Sequence, residues 1–459
     1  MKNKLPLLLA ALAFSLLSMA ACTKPAPGQP DEPDNPEPVE LQPLKFKVLV
    51  TENWVFSGKP VFTVQAENPN DVAVTTEVLA RISTDARKAV TTVTESVEVA
   101  AGAKKEFNIT TQETLPPGFY NAGVSSNGRI IRNFVFGIDP LQIVSAPDKQ
   151  DDFDEFWDAA KAQLAAVDMQ PNLIEITSKS STARKAYLVE IQSVPDGPDG
   201  EPVTVRGYYL EPQDGEKHPV IMHFYGYDEL RPTGKVTCPA GGSSAKYAEF
   251  YLSHRGQYIN NRRADQRTED GLGDLVNIYG DWFAYGFGNR DSYYYRGAFL
   301  DCVQAIRFMA TRSTSDMDNL FAEGSSQGGA LTYAAAALSD YPLSAAAPCV
   351  AFLGDFPDYF QIAGWPADVA KKNKGSMTDE EMYRFLSYFD TKNLATRISC
   401  PIIASSCLQD GTCPPHTNLA PYNNLLSTDK EIHFYPELQH AIPSDWNNKI
   451  MKFFKERIK

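Results

Sequence analysis

The chain has 459 residues, with 57 acidic side chains against 43 basic ones and a formal net charge of −14. A chain of this length holds more than one folded unit, each large enough for its own core. The acidic balance excludes nucleic acid and an anionic membrane surface as partners, since both need clustered Lys and Arg.

Lys2 and Lys4 precede an apolar run over residues 5–17, followed by Ser18-Met19-Ala20-Ala21-Cys22. A basic start, a short apolar run and small residues make an export signal, here residues 1–22. Small residues directly before a cysteine predict a bacterial lipobox, with Cys22 lipidated as the mature N-terminus. The apolar run is too short to span a bilayer, so membrane contact is expected only through that anchor, at the cell envelope. Residues 23–43, "TKPAPGQPDEPDNPEPVELQP", are rich in proline and acid and predict an extended, solvated tether.

Residues 44–140 alternate apolar and polar positions in "LKFKVLV", "PVFTVQAEN", "VAVTTEVLARIST", "AVTTVTESVEVA", "KKEFNITT" and "RIIRNFVFGI". Short alternating strands at this spacing predict an all-β immunoglobulin-like sandwich domain. It contains no histidine and no catalytic constellation, which leaves a spacer role and carbohydrate binding both open.

Residues 141–459 change pattern. "DDFDEFWDAAKAQLAAV" puts Phe153, Phe156, Trp157, Ala160 and Leu164 on one helical face. Beyond it, β-rich runs such as "VTVRGYYLEP", "PVIMHFYG", "NLFAEGSS", "CPIIASSC" and "EIHFYP" alternate with helical stretches. That alternation predicts a mostly parallel sheet flanked by helices, an α/β fold. Apart from Cys22, the cysteines at 238, 302, 349, 400, 407 and 413 form no CxxC pair and no Cys/His cluster, so neither metal nor cofactor is expected. Their disulfide pairing, if any, is not legible.

Gly324-Ser325-Ser326-Gln327-Gly328 fits G-x-S-x-G, between an apolar strand and an alanine-rich helix. A nucleophile elbow needs that junction, with small neighbours around a cramped serine. A serine hydroxyl needs a base to take its proton, and the base needs an orienting acid. Of the six histidines, His440 alone follows the last predicted strand and precedes the last helix. His433 lies within a strand, His218 and His223 lie in or beside another, and His254 and His416 are expected in loops. Asp410, directly after "CPIIASSCLQ", takes the acid's place in chain order. For the oxyanion, the backbone amides of Gln327 and of Tyr227, in the loop after "PVIMHF", are the expected donors.

From Asp151 onward these segments resemble the acetyl xylan esterase and cephalosporin C deacetylase family, carbohydrate esterase family seven. The resemblance is carried by "DDFDEFWD", by "RGQ" at Arg255-Gly256-Gln257, by "YYYRGAFLDCVQAIRFM", by "GSSQGG", by "SYFDTKNLATRISCPIIASSCLQDGTCPPHT" and by "YPELQH". It implies an α/β hydrolase with Ser326, Asp410 and His440 as its triad, and an acetylated carbohydrate as its substrate. Three positions depart from the family pattern: Ala441 stands where Glu follows the catalytic histidine, Tyr258 where Gly follows RGQ, and His416 where Ser is usual. These bear on the substrate more than on the triad, and the family's ring-like hexamer is not implied for a chain with an added front region.

The reading is a lipid-anchored serine esterase removing acetyl or other short acyl groups from xylo-oligosaccharides or related glycans. Three alternatives stay open to the residues: deacetylation of small antibiotic-like or drug-like esters, peptide cleavage on the same fold, and an inactive glycan-binding lipoprotein.

Overall fold

The computed structural model describes residues 41–198, 200–227, 236–239, 246–257, 259 and 279–459. The export signal, Cys22, the tether up to residue 40 and Tyr258 lie outside the described residues. Leu44–Lys459 form one compact unit. Among the described residues no helix is long and apolar enough to cross a membrane.

The front of this unit is built from β1 (Lys45–Val48), β2 (Val55–Phe56), β3 (Val61–Glu67), β4 (Val74–Thr84), β5 (Ala89–Val99), β6 (Lys104–Thr110), β7 (Gly118–Ser126) and β8 (Arg129–Ile138). They make two sheets, ordered β1-β3-β6 and β2-β8-β7-β4-β5. The period-two pattern explains their facing: in β3, Phe62, Val64 and Ala66 are buried while their neighbours are half-exposed. The Phe62 ring stands 5.2 Å from Phe134 and 5.0 Å from Phe136, both on β8, so aromatic rings close the space between the sheets.

The second part carries β9 (Asn172–Glu175), β10 (Arg184–Ser193), β11 (Val203–Pro212), β12 (His218–Phe224), β13 (Ala248–Ser253), β14 (Ser315–Ser325), β15 (Ala345–Cys349), β16 (Ile402–Cys407) and β17 (Lys430–Tyr435) in one sheet. Its order is β17-β16-β15-β14-β12-β13-β11-β10-β9. Pairing is parallel from β13 through β12 and β14 to β17, and antiparallel from β13 through β11 and β10 to β9. This is the mostly parallel, helix-flanked sheet of an α/β hydrolase. Central strands have both faces covered, and every residue of β15 and β16 is buried.

Among the described residues the α-helices are α1 (Phe153–Ala166), α2 (Tyr294–Ala310), α3 (Gln327–Leu338), α4 (Phe356–Ile362), α5 (Gly364–Asn373), α6 (Asp379–Leu386), α7 (Thr391–Ala395), α8 (Pro415–Asn423) and α9 (Trp446–Lys455). The expected apolar face of α1 is the buried one, and Trp157 Nε1 donates to Tyr388 O at 3.0 Å. From β12 the chain passes to β13 on one side and then returns to β14 on the other. That reversal opens a crevice at the carboxyl ends of β12 and β14, where this class of sheet receives ligands.

His416 is a correction to the sequence reading: it lies in the first turn of α8, not in a loop. Pro415 at the first helical position presets the backbone angle that starts a helix. β15, "AAAPC", has no β-branched or aromatic residue to announce it, and the sequence reading did not include it.

Because Phe62 is 1 % exposed and packs against three rings of the facing sheet, Phe56, Phe134 and Phe136, Phe62→Ala is expected to destabilise the protein by about 3–5 kcal/mol. Denaturant unfolding checks this, and a loss under about 1 kcal/mol would contradict the packing described.

Candidate active site

β14 delivers the chain to Ser326, whose φ of 60° and ψ of −122° break the strand before α3 begins. A non-glycine residue at this angle is strained, by about 1–3 kcal/mol. Hydrogen bonds hold it: Ser326 N–H donates to Cys349 O at 2.9 Å, while Ser326 O accepts from Gly329 N–H at 2.9 Å and Phe352 N–H at 3.1 Å. The flanking glycines answer to space. A Cβ on Gly328 would lie 2.2 Å from Phe224 O, and one on Gly324 would lie 2.4 Å from Gly328 O.

The loop after β16 presents Asp410 and the loop after β17 presents His440. His440 Nδ1 lies 2.7 Å from Asp410 Oδ2, and His440 Nε2 lies 3.0 Å from Ser326 Oγ. Asp410 is fixed by donors on its other oxygen, Oδ1, which accepts from Thr412 N–H and Cys413 N–H at 2.8 Å each. With Asp410 as acceptor, His440 carries its proton on Nδ1 and leaves Nε2 free to accept from the serine hydroxyl. The Asp410 side chain is 0 % exposed and that of His440 29 %, so the line runs from a buried charge outward to solvent.

The oxyanion candidates stand at the crevice. Gln327 opens α3, and Tyr227 lies just beyond β12, against which Gly328 is pressed. The Tyr227 ring packs 5.0 Å from Trp282 and 5.3 Å from Trp365, and its hydroxyl donates to Asp281 Oδ1 at 2.9 Å. Packing of the ring thus fixes the loop that carries its amide.

Arg255-Gly256-Gln257 acts on the same loop from below. Arg255 is buried, donating from Nε to Asp301 Oδ2 at 3.0 Å and from Nη1 to Asp196 Oδ1 at 2.7 Å. Gly256 has a φ of +76°, which accounts for glycine in the turn. Gln257 Nε2 then donates to Gly226 O at 3.1 Å, one residue before Tyr227.

Several residues here escaped the sequence reading. The Gln327 side chain accepts from Tyr295 Oη–H at 2.9 Å and donates to His254 Nε2 at 2.8 Å. His254 Nδ1 meets Tyr294 Oη at 2.8 Å, and that hydroxyl donates to Arg255 O at 2.8 Å. The Cys413 thiol faces Ser326 and Tyr359. Burial, reinforced by the charge of Asp410, holds its pKa well above the usual range, so it stays a neutral thiol beside Ser326. The described cysteines are all free. No local sequence signal marks these residues, because their partners come from distant segments.

His416 stands apart from the Ser326 line. Its Nε2 is 3.0 Å from Asp355, 3.3 Å from Asp358 and 3.3 Å from Ser145 Oγ, while Nδ1 is 4.0 Å from Asp85. The Asp355, Asp358 and His416 atoms are close enough together to hold a metal ion. However, Lys392 Nζ already sits 3.0 Å from Asp355, and the imidazolium supplies the second positive charge. Burial alone would lower the His416 pKa, but hydrogen bonds to Asp355 and Asp358, with their charges, raise it from 6.5 to about 9.

A histidine raised in the folded state stabilises the fold fully below its unfolded value and ceases to do so as the pH climbs through its folded value. Between pH ~6.5 and ~9, His416→Asn is therefore expected to lose less stability than the parent while keeping substantial esterase activity. Parallel stability profiles, or activity lost as in His440→Ala, would contradict this. Gly328→Ala is expected to lower activity at least about 100-fold, because backbone at Phe224 must move; an active, normally folded variant would refute the close approach.

Comparison with known proteins places these features in a family. The family model described as acetyl xylan esterase matches residues 137–457. An acetyl esterase of Xylanibacter ruminicola is 25% identical over 348 residues, covering 75% of each chain. An acetyl xylan esterase from a Paenibacillus species is 28% identical with a TM-score of 0.57, covering 69% of this chain and 98% of that one. One from a Thermoanaerobacterium species shares the fold at 24% identity and a TM-score of 0.57, over 70% of this chain and 98% of that one. The chain belongs to the acetyl xylan esterase family and is a carboxylic-ester hydrolase of α/β-hydrolase fold.

Proposed function

We propose that Ser326, His440 and Asp410 hydrolyse acetyl and other short acyl esters of carbohydrate hydroxyls, with acetylated xylo-oligosaccharides as the substrate class. The observation that carries this is the continuous hydrogen-bonded line from Ser326 Oγ through His440 to the buried Asp410, at 3.0 and 2.7 Å. His440 Nε2 takes the hydroxyl proton as Ser326 Oγ attacks the ester carbonyl. Asp410 keeps the imidazole oriented and stabilises its charged form. The backbone amides of Gln327 and Tyr227 donate to the tetrahedral oxyanion, a contribution of about 3 kcal/mol for one such donor.

The sugar alcohol leaves with the proton held by His440, and an acyl group remains on Ser326. Water, deprotonated by the same imidazole, then releases acetate and restores the serine. No metal or redox group takes part in these steps. The export signal and Cys22 support action at the cell envelope from a lipid anchor.

Acetate release from acetylated xylo-oligosaccharides and from an aryl acetate tests the proposal. The parent is expected to release acetate from both, and Ser326→Ala and His440→Ala to lose about 10⁴-fold or more while staying folded. Ordinary turnover by Ser326→Ala would end the mechanism. Release from the aryl ester alone would reject xylan and favour a small acetylated molecule.

A further inference from the structure

The paired front sheets hold no catalytic constellation, yet they touch the loops that carry the acid and the base. Strand β8 has β7 along one edge, whereas β2 covers its other edge only at Gly137 and Ile138. At Val135 that second edge is met by a side chain from the other sheet system. Val135 N–H donates to Gln409 Oε1 at 2.9 Å, and Gln409 Nε2 donates to Val135 O at 3.0 Å. The carboxamide stands where a neighbouring strand's peptide group would stand.

The same nitrogen also donates to Pro436 O at 2.7 Å, and the Gln409 backbone N–H donates to Leu438 O at 3.0 Å. Gln409 immediately precedes Asp410, while Pro436 and Leu438 lie on the segment that leads to His440. One carboxamide therefore ties together β8, the acid loop and the base loop, using three of its four hydrogen-bonding positions. Beside it, Arg132 Nη2 reaches Glu437 Oε1 at 2.9 Å, with its guanidinium 4.6 Å over Trp54. Glu437 is exposed and Arg132 only half-buried, and ion pairs so open to solvent contribute little.

We propose that the front β-sheets are a positioning element of the active site, acting through β8 on Gln409, which is a positioning residue for the Asp410–His440 pair. This rests on the triad reading above. Asp410 and His440 sit on separate loops, and their 2.7 Å hydrogen bond requires those loops to keep a fixed spacing. General-base catalysis is sensitive to the tilt of the imidazole, so a tie between the two loops and a rigid strand acts on turnover more than on substrate binding.

The test compares Gln409→Met, which keeps the length and the backbone bond to Leu438 but makes none of the three side-chain hydrogen bonds, with Gln409→Glu, which keeps the acceptor for Val135 N–H and loses both bonds donated by the side chain. Arg132→Ala and Ser326→Ala serve as references. For each full chain, kcat and KM on an aryl acetate, the pH profile of kcat/KM, the melting temperature and the low-field NMR resonance of the His440 Nδ1 proton are measured. Gln409→Met is expected to melt cooperatively, to lose about 10- to 100-fold in kcat with KM little changed, and to shift or broaden that resonance. Gln409→Glu, the fallback if Gln409→Met does not fold, is expected to lower kcat and move the same resonance. Arg132→Ala is expected to stay near the parent. A parent-like kcat and an unmoved resonance in either folded Gln409 variant, with Ser326→Ala inactive, would overturn the positioning role alone. Turnover by Ser326→Ala would instead overturn the triad reading beneath it.

Discussion

The carbonyl oxygen of Phe224 occupies the space that a side chain on Gly328 would need, and much of the catalytic half depends on that approach. It lets α3 start directly against the end of β12, so Ser326, which follows β14, and the Tyr227 loop share one crevice. It also requires Ser326 to turn through a strained angle, which the bonds to Cys349, Gly329 and Phe352 hold in place. Strain of this kind persists only where the surroundings over-determine it. Here they are a parallel sheet buried on both faces.

Asp410 and His440 sit on loops, and a loop holds an angle only if something braces it. Three braces converge. Arg255, paired with buried Asp301, fixes the turn from which Gln257 reaches Gly226 beside the Tyr227 amide. Tyr295 and His254 pin the Gln327 carboxamide at the head of α3. Gln409 ties the loops that carry Asp410 and His440 to β8. A buried ion pair such as Arg255 with Asp301 gains little net stability after desolvation, so its value lies in fixing one arrangement. That the front sheets share one compact unit with the catalytic half fits a structural part in the same bracing.

How much of this the sequence reveals depends on how local the cause is. β3 and β8 are legible because a half-buried strand alternates, and α1 because its five core residues fall at helical spacing. The elbow is legible because its chemistry is packed into five residues at a strand-to-helix junction. Asp410 and His440 follow from chain order on this fold, and the structure brings both within hydrogen-bonding distance of the expected partners. β15 was not legible, because five small residues become a strand only through the parallel neighbours that enclose them. His416 was misplaced for a related reason: a Pro-Pro pair reads as a turn until its second proline starts a helix. Gln409, His254, Tyr295 and Cys413 show no pattern of their own, since each owes its place to partners from other segments.

The most direct test of the central claim, that Ser326 is the activated nucleophile, is chemical labelling. The protein is treated with a fluorophosphonate, digested, and the modified peptide is mapped by mass spectrometry. A single adduct on Ser326, absent when His440 is replaced by alanine and accompanied by complete loss of ester hydrolysis, is the predicted result. An adduct on Ser325 or Cys413, or hydrolysis that continues after Ser326 is fully labelled, would contradict it.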